Sequence, residues 1–106
     1  MAWILLLAAG SLEIVWAFTM KRSEGFTRVL PTSITLLTMT ASVGLLSVSM
    51  KTLPLGTAYT AWTGIGALGT FLVGIVVLGE PMTVDRLVGA GLILAGLVLL
   101  ALSSAR

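Results

Sequence analysis

Glu13 is the residue with the clearest capacity for chemistry, because it is a carboxylic acid inside an apolar stretch, with no basic side chain nearer in sequence than Lys21. Burying an ionisable group at the centre of a membrane-spanning helix costs on the order of 2.5 kcal/mol or more, so such a group is expected to face a cavity or a partner and to work there. Desolvation penalises the charged form of a carboxyl group. One that takes up and releases protons near neutral pH can trade a proton for a cation. With no counter-ion in the same stretch, a cationic substrate is the natural occupant. The alternative is a protonated acid in a structural hydrogen bond. Glu24, Glu80 and Asp85 instead fall where apolar stretches end, and read as solvated boundary charges.

Other residues read as pocket lining. Gly10 and Trp16 each lie three positions from Glu13, so one adjoining turn is small and the other aromatic. Tyr59 and Trp62 are also three apart, which places a hydroxyl and an indole on one helix face, and aromatic faces attract cations more strongly when desolvated. Tryptophan also marks membrane interfaces; that is the reading for Trp3 and the alternative for Trp16 and Trp62. Ser42 is able to donate a hydrogen bond to a carboxylate, although serine is common in membrane helices. The absence of cysteine and histidine removes disulfides, thiolate chemistry and the usual zinc or iron ligands. No metal site and no cofactor are expected, and no nucleophile and base set points to an enzyme.

These side chains must be held by helices in lipid. Of 106 residues, 58% are hydrophobic and 9% charged, outside the range of a soluble domain. A bilayer core of about 30 Å needs about 20 helical residues, and the charges divide the chain into four stretches near that length. The expected fold is an all-α membrane protein, one domain over 1–106 with transmembrane helices at about 2–20, 29–50, 57–78 and 85–103. The uncharged run Leu87 to Leu102 is short for a span, and Asp85 and Arg86 extend it into the headgroups. Met1 to Gly10 lacks the basic region of a signal peptide, so the first segment is expected to be a permanent helix. The net charge of +2 is scattered and does not suit nucleic acid.

Four such helices enclose too little volume for a binding cavity and an access path, so self-association is expected. On helix 4, Gly89, Leu92, Ile93 and Gly96 recur at i, i+3, i+4 and i+7, a stripe that lets another helix approach closely. Packing of that stripe within the chain is the alternative. Gly64 and Gly66 sit at the middle of helix 3, where paired glycines allow a kink, and are the expected hinge. Lys21, Arg22, Arg28 and Arg86 fall on one side of the membrane, against Lys51, Arg106 and the terminal amine on the other. That contrast is slight for the positive-inside rule, so insertion both ways up is expected, giving an antiparallel pair.

Over its whole length the sequence resembles the small multidrug resistance family. The resemblance rests on Glu13, on Lys21 followed by Ser23 to Arg28, on Leu53-Pro54-Leu55-Gly56-Thr57-Ala58-Tyr59, and on Trp62 with Gly64-Ile65-Gly66. The helix 4 stripe is similar to the family's dimerisation motif. Gly10-Ser11-Leu12-Glu13-Ile14-Val15-Trp16-Ala17, Ser42 and Trp62-Thr63-Gly64-Ile65-Gly66-Ala67 look like the guanidinium-exporting branch, since broad drug exporters tend to carry a small residue where Trp16 stands. The resemblance implies an antiparallel, dual-topology homodimer in a bacterial inner membrane, whose two Glu13 carboxyl groups form one central site reached alternately from each side. It further implies proton-coupled export of guanidinium, with Ser42, Tyr59 and Trp62 ordering the carboxylates. Guanidinium suits carboxylate because its paired N–H donors match the two oxygens as a fork. A quaternary ammonium exporter, one subunit of a heterodimeric exporter, and a structural membrane subunit without transport of its own are the rival expectations.

Overall fold

In a computed structural model that describes residues 1–104, the chain forms four helices: α1 (Ala2–Arg22), α2 (Val29–Ser49), α3 (Leu55–Val76) and α4 (Val84–Ser104). Each contains an apolar window of mean hydropathy between 1.4 and 2.1 and is long enough to cross a membrane. Twenty-one residues, the length of α1, extend about 31 Å. That matches the hydrocarbon core.

Local chemistry sets the ends. α1 continues past Met20 through Lys21 and Arg22, where cations are favourable beside the last carbonyls, and the Arg22 guanidinium lies 5.1 Å above the Phe18 ring. Buried Ser23 shapes the next turn: its hydroxyl donates to the Met20 carbonyl at 2.6 Å and accepts the Phe26 N–H at 3.0 Å. Gly25 has φ +75°, a left-handed conformation that glycine adopts without strain. Pro31 falls in the first turn of α2, where its missing N–H leaves no bond unmade. α3 starts at Leu55, two residues before the expected Thr57, because Pro54 is extended and its carbonyl accepts the Ala58 N–H at 2.9 Å. It stops at Val76 rather than Leu78, since Gly79 at φ +68° reverses the chain and the Glu80 N–H returns to the Gly74 carbonyl. Arg86 then ties the start of α4 to that turn, donating to the Pro81 carbonyl at 2.7 Å, lying 3.7 Å from the Glu80 carboxylate and covering the Phe71 ring at 5.3 Å.

α1 packs against both α2 and α3, whereas α4 touches α3 alone. The buried centre is small: Leu6 of α1, Leu46 of α2, and Ala58 and Ala61 of α3. Thr19 and Thr35 join α1 to α2 through hydroxyls 2.6 Å apart. Most large apolar side chains, among them Leu7, Leu37, Leu72 and Leu99, point outward, as a chain solvated by lipid requires. The Cα trace measures 45 × 35 × 16 Å, a slab too thin to wrap a cavity on all sides. Lys21, Arg22, Arg28 and Arg86 gather at one end of the helices and Lys51 at the other; Arg106 lies outside the described residues.

Candidate functional site

The turn of α1 that carries Glu13 is braced from two other helices. Ser42 of α2 is fully buried and donates its hydroxyl proton to the Ala9 carbonyl at 2.7 Å. In α-helical geometry that carbonyl also accepts the Glu13 N–H, and its two lone pairs allow both bonds. Trp62 of α3 donates its indole N–H to the Ser42 oxygen at 2.9 Å. One relay, Trp62 to Ser42 to Ala9, thus fixes three helices around the backbone of the Glu13 turn. The expected donation from Ser42 to a carboxylate is not made here, because its single proton is committed to Ala9. Ala9 was invisible to motif reading, since a backbone carbonyl leaves no trace in residue type.

The Glu13 side chain is half-buried and, among the described residues, receives no hydrogen bond and forms no ion pair; Arg86 with Glu80 is the ion pair found there. Its carboxyl group rests against α3 at Gly66, where an added methyl group would collide with Oε1 and Cδ. One turn earlier, Gly10 receives the Ile65 side chain in the same manner. Gly10 and Gly66 are both buried, and each lets the two helices approach. Trp16, on the turn after Glu13, has a buried indole N–H that meets no acceptor among the described residues.

Tyr59 and Trp62 do share a face of α3, their rings 5.5 Å apart and inclined at 53°. They then diverge in what they meet. Trp62 turns inward to Ser42, while Tyr59 stays 53% exposed and lines a groove between α3 and α4 of about 510 Å³, together with Thr63, Leu92, Ile93 and Gly96. α3 runs unbroken through Gly64 and Gly66, and both glycines make room for side chains: Gly66 for Glu13, and Gly64 for Leu97 of α4, whose atoms would lie 2.9 Å from an added methyl group. Leu97 seats α4 against α3 at Gly64. Gly89 and Gly96 meet nothing within 4 Å of an added methyl group, and Leu92 and Ile93 are exposed. Packing of the stripe inside this chain is therefore not what the fold does.

The arrangement can hold and release one cation or one proton at a carboxyl group within the depth of a membrane. Among the described residues no cluster of three or more acids capable of holding a metal occurs. The family model described as Small Multidrug Resistance protein matches residues 1–93. A guanidinium exporter of Yersinia pseudotuberculosis serotype I (strain IP32953) is 56% identical over 104 residues, covering 98% of this chain and 100% of the relative. Guanidinium exporters of Citrobacter freundii and Salmonella typhimurium are each 52% identical over 104 residues, covering 98% of this chain and 99% of theirs.

Proposed function

The chain belongs to the small multidrug resistance family, as a multi-pass protein of the bacterial inner membrane and a transporter rather than an enzyme, and from that premise we propose that it is a proton-coupled antiporter exporting guanidinium and small guanidinium-like cations. The observation that carries the reading is the Glu13 carboxyl group, inside a membrane helix with neither a donor nor a cation among the described residues to neutralise it. A charged carboxylate there demands a cation, and a protonated one demands none, so proton and substrate are alternative occupants. Guanidinium offers paired donors that fit both oxygens. The names of the similar proteins support that choice of cation.

Trp16 borders the site on the turn after Glu13, Gly10 packs α1 against α3 by admitting Ile65, and Ser42 and Trp62 hold the turn in place. Tyr59 completes the lining from a second copy in an antiparallel homodimer. Two features support the dimer: the slab is too thin to enclose a substrate alone, and the Gly89, Leu92, Ile93 and Gly96 stripe lies uncovered. Gly64 and Gly66 then act as the flexible centre of α3 as access alternates.

The test is flux in proteoliposomes driven by an inward proton gradient, with guanidinium, methylguanidinium and tetraethylammonium as cargo. Guanidinium exchange that dissipates the gradient is the expected result. Preference for tetraethylammonium would reassign the protein to quaternary ammonium export, and activity only with a second four-helix subunit would make it half of a heterodimer. No cation flux under any of these conditions would remove the transport reading.

A further inference from the structure

α1 and α3 run parallel and interlock at three glycines. A methyl group added at Gly10 would strike Ile65, one at Gly69 would strike the end of Ile14, and one at Gly66 would strike the Glu13 carboxyl group. The first two are aliphatic side chains filling glycine gaps, the ordinary way membrane helices approach. The third is unlike them, because the group filling the gap is the acid that has to meet substrate. Oε1 and Cδ of Glu13 occupy the volume that the missing side chain of Gly66 leaves free. With that oxygen turned against the backbone of α3, the carboxylate cannot offer both oxygens to a planar fork of donors. A seated carboxyl group and a fork-bound guanidinium exclude one another.

We propose that Gly66 is a positioning residue: the gap it leaves is a berth into which Glu13 withdraws when it holds no substrate, so residue 66 sets the fraction of time the carboxyl group is available. This rests on the reading of Glu13 as the guanidinium site. Its consequence runs against the usual effect of a damaged pocket. An equilibrium that favours a non-binding arrangement weakens apparent affinity by the fraction of competent molecules, and removing that arrangement restores it. Alanine at residue 66 fills the berth. The atoms it displaces are the end of a flexible side chain, so Glu13 rotates away while the helices stay in place. Guanidinium then binds more tightly, by about fivefold, and leaves more slowly.

The experiment measures guanidinium binding and saturating exchange for wild type, Gly66→Ala and Gly69→Ala. Expected is a fall in both Kd and maximal flux for Gly66→Ala, with a Kd within about twofold of wild type for Gly69→Ala. Weaker or unchanged binding by Gly66→Ala, or the same tightening by Gly69→Ala, overturns the berth. Wild type that binds no guanidinium overturns the functional reading together with it, whereas wild-type binding with an unresponsive Gly66→Ala overturns the berth alone. A variant-free measurement covers a Gly66→Ala protein that does not fold: solid-state NMR in lipid should show a contact between the Glu13 carboxyl carbon and the Gly66 Cα that disappears at saturating guanidinium. Absence of that contact without guanidinium, or its persistence at saturation, also overturns the proposal.

Discussion

Replacing Glu13 with glutamine keeps the size and shape of the side chain and removes both its charge and its ability to titrate. Glu13 receives no hydrogen bond among the described residues, so the amide breaks no contact on which the fold depends. Glu13→Gln is therefore expected to insert and assemble like wild type and to lose proton-coupled guanidinium exchange, to less than about one hundredth of the wild-type rate, because it can neither hold the cation nor carry the proton. Exchange near the wild-type rate would place the coupling elsewhere. Much of this neighbourhood was legible from residue type: an acid in an apolar run is expensive, and Ser42 and Trp62 are the polar side chains suited to its surroundings. The direction of their bonds was not legible. Ser42 has one proton, and only the register of α2 against α1 decides that it goes to the Ala9 carbonyl instead of a carboxylate. The fit of Glu13 into Gly66 was not legible either, because spacing within one helix reveals flexibility, whereas the atom that fills the gap belongs to another helix.

At the scale of the helix, hydropathy located four spans, and local bonding moved their ends. Pro54, extended and followed by the Ala58 N–H, draws the start of α3 back to Leu55, and a left-handed Gly79 cuts its end to Val76. Charge position alone could not anticipate either. The α4 stripe presents a cleaner contrast, because two sets of residues on one helix have different roles. Leu97 fills the space over Gly64 and holds α4 to α3, while Gly89 and Gly96 face open space. Gly96→Leu leaves the first contact intact and places a branched side chain where another helix would approach. It is expected to weaken dimerisation in lipid by about tenfold without unfolding the chain. Dilution-dependent crosslinking in bilayers, with circular dichroism as the check on helicity, measures both. A dimer as strong as wild type would move the contact away from α4.

For the whole molecule, a slab 16 Å thick is too thin to enclose a substrate path, which supports the proposal that a second copy completes it. Basic side chains differ little between the two ends, which supports the proposed insertion in opposite senses and antiparallel pairing. In the proposed dimer, two Glu13 carboxyl groups share one site and titrate as a coupled pair, with apparent pKa values that belong to the pair. Substrate requires the charged form and protons abolish it, so the sign of the pH effect is fixed. As pH falls through the apparent pKa values, each binding event must displace a proton, and apparent affinity weakens by about tenfold per pH unit for one proton displaced. Above those values no proton remains to be displaced and affinity becomes constant. Reciprocity follows from linkage: guanidinium added near the apparent pKa releases protons, and guanidinium added well above it releases none. Calorimetry on detergent-solubilised protein from about pH 5 to about pH 9, with proton release followed in weak buffer, reads both sides of the linkage. Affinity independent of pH, or binding without proton release at the acid end, would mean that proton and guanidinium do not share Glu13, and would leave a uniporter whose acid serves only to attract its cation.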